Sequence, residues 1–244
     1  MKRPLQALLL ALTGIALLHT ALLTDTYLRY VKAGLRPALI VSGAVLLLLG
    51  LAGAVTRDRR HTAGDSGHGH GHDHTATPRV AWLLFLPALS LLLHAPPALG
   101  AYTAARADTR PVAVQKGFPP LPATSPLPLT LTDFTKRVQQ DRGRAIEHRT
   151  VRLTGFVTPA GAGDGWYLTR IVFSCCAADS QTLKVRVYGS GAPPADTWVA
   201  VTGTWHPRGT LGTGTAEAAL DVRDVRPVAQ PVNAYTDDLP LTPS

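Results

Sequence analysis

The chain of 244 residues carries 24 Lys and Arg against 16 Asp and Glu, with nine His and two Cys. The charge is uneven: residues 1–106 hold ten basic and four acidic residues, residues 107–244 fourteen and twelve. A basic excess in short segments between apolar runs, rather than on a folded domain, excludes a nucleic-acid partner. It fits the loop pattern of a membrane protein.

The first apolar run extends from Leu5 to Leu23, broken by Gln6 and His19. Nineteen residues rise about 28 Å as a helix, close to the hydrocarbon thickness of a bilayer. A second run, Ala38 to Val55, carries no charge and follows Pro37, where a helix tolerates the missing N–H. Residues 1–56 therefore read as a transmembrane hairpin whose outer loop holds Tyr27 and Tyr30. A third run, Val80 to Gly100, contains Pro87 and ends near Pro96-Pro97, which predicts a kink and an early stop. Lys2, Arg3, Arg57, Arg59, Arg60 and Arg79 fall on one side of three spans, and Arg29, Lys32 and Arg36 on the other. The expected location is the plasma membrane, multi-pass, with a cytoplasmic N-terminus and an extracytoplasmic C-terminal domain.

The loop at 57–79 contains His68, His70, His72 and His74, alternating with Gly and Asp73. Imidazoles on flexible Gly spacers can wrap a borderline metal such as zinc. The plain alternative is a solvated linker. His19 and His94 each lie fourteen residues into their runs, at the same depth. They are either intramembrane functional groups or histidines reaching the outer interface.

Residues 101–129 are rich in proline, the composition of a semi-rigid tether. Beyond it, residues 130–235 read as an all-β domain and 236–244 as a tail. Thr132 can cap a short helix, Asp133 to Gln140, with Phe134 and Val138 on one face. Val151, Leu153, Gly155 and Val157 alternate in a first strand, with Gly155 placed like a bulge. Strands before and after the cysteines follow, then Trp198 to Trp205 and Leu220 to Val225. Five short strands predict a small OB-like barrel, with a two-sheet β-sandwich as the alternative.

Both cysteines, Cys175 and Cys176, are adjacent, in the corner Cys-Cys-Ala-Ala-Asp ending at Asp179. Consecutive Cα atoms lie about 3.8 Å apart, so an ordinary disulfide between them is excluded. Three readings stay open. The thiols are simply packed; or they bind a divalent metal, zinc first, with Asp179 and with His148 or His206 completing the set; or they do redox work. No triad, phosphate loop or carboxylate pair points to an enzyme.

The layout resembles the YcgQ-like family of bacterial membrane proteins, permease subunits that carry a domain of unknown function. The matching pieces are Tyr30 and Arg36-Pro37, the His-rich loop, and Pro96-Pro97 with Leu99-Gly100. Arg170 before Ser174-Cys175-Cys176-Ala177-Ala178-Asp179 is the most specific of them, joined by Trp198, Gly203 and Tyr235. The ending Pro231-Val232-Asn233-Ala234-Tyr235 departs from the Pro-Tyr ending of that family. The resemblance implies a partner, a separate integral membrane permease, with metal or metalloid transport as the task. The function expected is thus an accessory subunit handling a transition metal at the lipid bilayer; the alternative is a membrane-anchored thiol redox or metal-sensing protein acting alone.

Overall fold

The computed structural model describes residues 3–62, 99–109, 111–161 and 165–241. The chain divides into two compact units, Met1–Ala98 and Leu99–Ser244.

In the first unit, α1 (Arg3–Leu22) and α2 (Arg36–Thr62) are joined through two short 3-10 turns, Thr26–Arg29 and Ala33–Leu35. Small residues let the helices touch. A Cβ on Gly14 would lie 2.7 Å from the Gly43 carbonyl and from the Leu47 amide, and one on Gly50 2.7 Å from the Ala11 amide. Such contact between backbones is how apolar helices associate where water supplies no drive. Arg36 Nε donates to the Ala21 carbonyl at 2.9 Å, satisfying an acceptor in the last turn of α1. Other apolar side chains, among them Leu12, Ile15, Val41, Leu48 and Leu49, are exposed.

Among the described residues one helix, Ala33–Val55, is long and apolar enough to cross a membrane, and only 11% of its apolar window is buried. The apolar stretch of α1, Gln6–Leu22, is shorter. The expected three spans are thus represented by one such helix. Most of the third run, residues 80–98, lies outside the described residues, as does His94.

The second unit is an all-β sheet of six strands with two helices. They are α3 (Ala101–Arg106), β1 (Leu127–Pro128), α4 (Leu131–Gln140), β2 (Val151–Pro159), β3 (Trp166–Val172), β4 (Gln181–Tyr188), β5 (Trp198–Trp205) and β6 (Ala219–Pro227). The order is β1-β2-β3-β4-β6-β5, and β2 pairs with β5 as well. Its first half, Val151 to Phe156, lies against β5, and its second half, Phe156 to Pro159, against β3. Gly155 sits at the changeover, where a Cβ would meet the Thr169 carbonyl at 2.6 Å. The register shift expected at Gly155 is instead in the β5–β6 ladder, where Thr202 and Gly203 pair with Asp224 and Val222 and Arg223 of β6 is the extra residue. This is not a plain five-stranded barrel, since β1 adds in parallel to β2. Nor is it a two-sheet sandwich, because all six strands share one sheet.

The core gathers Val151, Leu153, Trp166, Leu168, Val185, Val187, Val199, Val201 and Leu220 from alternate strand positions, with Phe134 and Val138 of α4. The cap of α4 is Thr130 rather than Thr132: its hydroxyl accepts from the Asp133 amide at 3.0 Å. Burial of Leu131 starts the helix earlier than expected. The described residues of 101–129, read as a tether, are tied to the sheet unit by hydrogen bonds. Gln140 accepts from the Gln115 amide at 2.9 Å, and Arg137 donates to the Pro119 carbonyl at 2.9 Å. Leu127 and Leu129 pair with the Thr150 and Arg152 carbonyls. Prolines lack a donor, so their stretch is held through its carbonyls by arginines.

Candidate functional site

The chain leaves β3 at Val172 and runs into Phe173, whose ring is buried. Phe173 stacks on Tyr235 at 4.7 Å and 4°. The Phe173 amide donates to the Tyr235 carbonyl at 3.0 Å, and the Tyr235 hydroxyl donates to the Leu99 carbonyl at 3.0 Å. Phe156, Ile171, Ala101, Ala104 and Ala234 complete this second, smaller cluster. Arg170, 4% exposed, donates to the carbonyls of Asn233 and Thr236 at 3.0 and 2.9 Å, 5.3 Å from the Trp198 ring. Burial pushes its pKa down to about 10, against the pull of Asp237 and Asp238, so the guanidinium keeps its charge at neutral pH. Residues 233–236 therefore hold both Arg170 of β3 and Phe173 at the start of the cysteine corner.

The corner is organised by one carboxylate. Asp179 Oδ1 accepts from the amides of Ser174 and Cys176, each at 3.1 Å, and Oδ2 from the amide of Cys175 at 2.8 Å. A 3-10 turn, Ala177–Asp179, carries Asp179 back over these amides, and the Asp179 amide returns a bond to the Cys176 carbonyl at 3.2 Å. Cys175 is exposed and Cys176 half-buried; both are free thiols, their Sγ atoms 3.6 Å apart.

Cys175, Cys176 and Asp179 each offer one ligand atom, and the three lie within 4.8 Å of one another, close enough to hold a metal ion. A tetrahedral zinc with bonds of about 2.3 Å would separate two thiolates by roughly 3.8 Å. The observed sulfur spacing nearly meets that. Hydrogen bonding to Asp179, then to Cys176, pushes the Cys175 thiol up to about 11. Desolvation acts to raise the Asp179 pKa, but the Cys175 thiol and the three amides outweigh it and hold the carboxyl below its ordinary range. An ion entering here would replace the Cys175 proton, so affinity must fall with falling pH. A thiol held protonated is also a poor nucleophile.

The expected fourth ligands are elsewhere. His206 Nδ1 pairs with Asp221 Oδ1 at 2.7 Å, and its ring packs on Tyr188 at 4.4 Å. His148 is exposed at a φ of 57°, and neither histidine joins the Cys-Cys-Asp group. His19 is exposed in the last turn of α1. His68, His70, His72 and His74 lie outside the described residues. Sequence reasoning assigned no role to Phe173 or to the tail carbonyls. The one available signal was Arg170, a charge inside an apolar strand, which demands buried acceptors.

Residues 132–236 match the family model of the DUF1980 C-terminal domain, an uncharacterised domain. The match runs from α4 through the corner to the tail that braces it. No curated protein and no solved structure matches the chain.

Proposed function

We propose that this is a membrane-anchored metal-handling protein whose Cys175–Cys176–Asp179 corner takes up a divalent transition metal, zinc first, on behalf of a separate integral membrane permease. The observation that carries the reading is the convergence of two thiols and a carboxylate within 4.8 Å on an exposed, hydrogen-bonded turn. The raised Cys175 thiol weighs against the thiol-redox alternative, because without a metal it stays protonated at neutral pH.

The sheet unit is read as OB-like. Strands β2-β3-β4-β6-β5 pair in sequence, the extra β2–β5 pairing returns to the start, and β4 runs parallel to β6. Its extracytoplasmic location rests on the loop charges. Reporter fusions at Thr62 and Ser244 should give opposite compartment signals, and identical signals would refute it. The permease partner rests on the family resemblance; it should co-purify with the tagged full chain from native membranes, and its absence would refute the accessory role.

The metal claim is tested on the full chain in neutral detergent, with His68, His70, His72 and His74 replaced by alanine. After stripping and re-equilibration it should retain about one zinc per chain. Cys175→Ser with Cys176→Ser should retain none. A chain that stays metal-free overturns the reading.

A further inference from the structure

The carboxylate of the cysteine corner has little left to offer an ion. An ionised carboxylate presents about four lone-pair sites. The amides of Ser174 and Cys176 take Asp179 Oδ1, and the Cys175 amide takes one side of Oδ2. What remains is one site on Oδ2, enough for a single bond to an ion and too little for a grip by both oxygens. With the sulfurs of Cys175 and Cys176, the turn supplies three bonds.

Closed zinc sites have four protein ligands, whereas three leave a position open to a donor from outside. Among the described residues no further His, Cys, Asp or Glu joins Cys175, Cys176 and Asp179. Cys175 is exposed, so an outside donor can reach an ion bound beside it. Charge selects the kind of donor. Two thiolates and a carboxylate carry more negative charge than a divalent ion cancels. A fourth anionic ligand would add to that excess, and like charges a few ångströms apart repel. A neutral imidazole adds none, and it suits the same borderline ions that thiolates hold.

We propose that the fourth ligand is a histidine of another chain, and that the corner is a hand-over point where this protein and its partner share one ion. The inference rests on the metal reading above. In the exchange a neutral imidazole nitrogen gives its lone pair to the ion and a bound water leaves. Release then breaks the two ion–sulfur bonds, each sulfur takes a proton from solvent, and the ion keeps its charge throughout.

The probe is imidazole, added to the full chain in neutral detergent at about pH 7.5, where a histidine side chain is mostly neutral. The chain carries alanine at His68, His70, His72 and His74 and one equivalent of cobalt(II), whose near-ultraviolet sulfur band marks the corner. That band should shift without vanishing, along a single-site curve that half-saturates below about 10 mM imidazole. Acetate should act at least about tenfold more weakly. The chain with its histidines intact should respond as the alanine chain does. A chain that binds no cobalt overturns the metal reading, and this inference with it. Cobalt held through sulfur but unmoved by imidazole overturns this inference alone. So does loss of the band, equal action by acetate, or a chain made insensitive by its own loop histidines.

Discussion

Replacing Phe173 by alanine removes the ring on which the cysteine corner stands. The side chain is 2% exposed and stacked at 4.7 Å on Tyr235. Burial of roughly 170 Å² of aromatic surface at about 25 cal/mol/Å² gives about 4 kcal/mol, within the usual Phe→Ala range. At about 2–4 °C per kcal/mol for a unit of this size, the melting midpoint should fall by roughly 8–16 °C. Tyr235→Ala and the double variant separate the stack from simple burial: the two changes should be coupled by about 1 kcal/mol. Differential scanning calorimetry of the full chain in detergent reads this, with Phe173→Leu as the volume control. A fall under about 3 °C, or additive single changes, would refute the claim that the tail braces the corner.

Three further expectations follow from the same geometry. The Cys175 pKa is raised, so its protonated contacts stabilise the corner fully below the ordinary thiol pKa and are lost as pH rises through about 11. Metal-free alkylation should therefore half-saturate near pH 11. Asp179→Asn should bring that inflection down towards about 8.5, and an unchanged profile contradicts the hydrogen bond. The lowered pKa of Asp179 has the opposite sign: its contribution is present above the ordinary carboxylate range and fades only below about pH 4. In the helical hairpin, Gly14→Val would push a Cβ into the backbone of Gly43 and Leu47 at 2.7 Å. Loss of helix packing by about 1–3 kcal/mol should appear as earlier melting of the helical circular-dichroism signal. The Thr158 hydroxyl is buried without a hydrogen-bond partner among the described residues. Thr158→Val should thus stabilise by about 1 kcal/mol, and a lower melting point would contradict that.

The strands were legible because their apolar residues fall at every second position. Trp166, Leu168, Val185 and Val187 enter the core where the alternation places them. β1 escaped because two residues, one a proline, carry no period. The cap of α4 was misplaced by two positions because Thr130 and Thr132 are equally good chemistry, and burial of Leu131 decides between them. Proline content signalled extended backbone in 101–129 but not the arginines it lies against. The grouping of Cys175, Cys176 and Asp179 was readable from the adjacent cysteines and the acid three positions on. His206 was not, because its partner Asp221 comes from another strand. Nor were the acceptors of Arg170, which are backbone carbonyls and leave no mark in residue type.

The most direct test of the metal corner is cobalt substitution, because sulfur-to-cobalt charge transfer reports thiolate ligands and ignores the loop histidines. Cobalt(II) added to the stripped full chain at neutral pH should give a near-ultraviolet charge-transfer band at about one ion per chain. The account predicts that Cys175→Ser or Cys176→Ser alone halves its intensity and that the pair of changes abolishes it. A spectrum with bound cobalt but no thiolate band, or one unaltered by either cysteine change, would contradict the site.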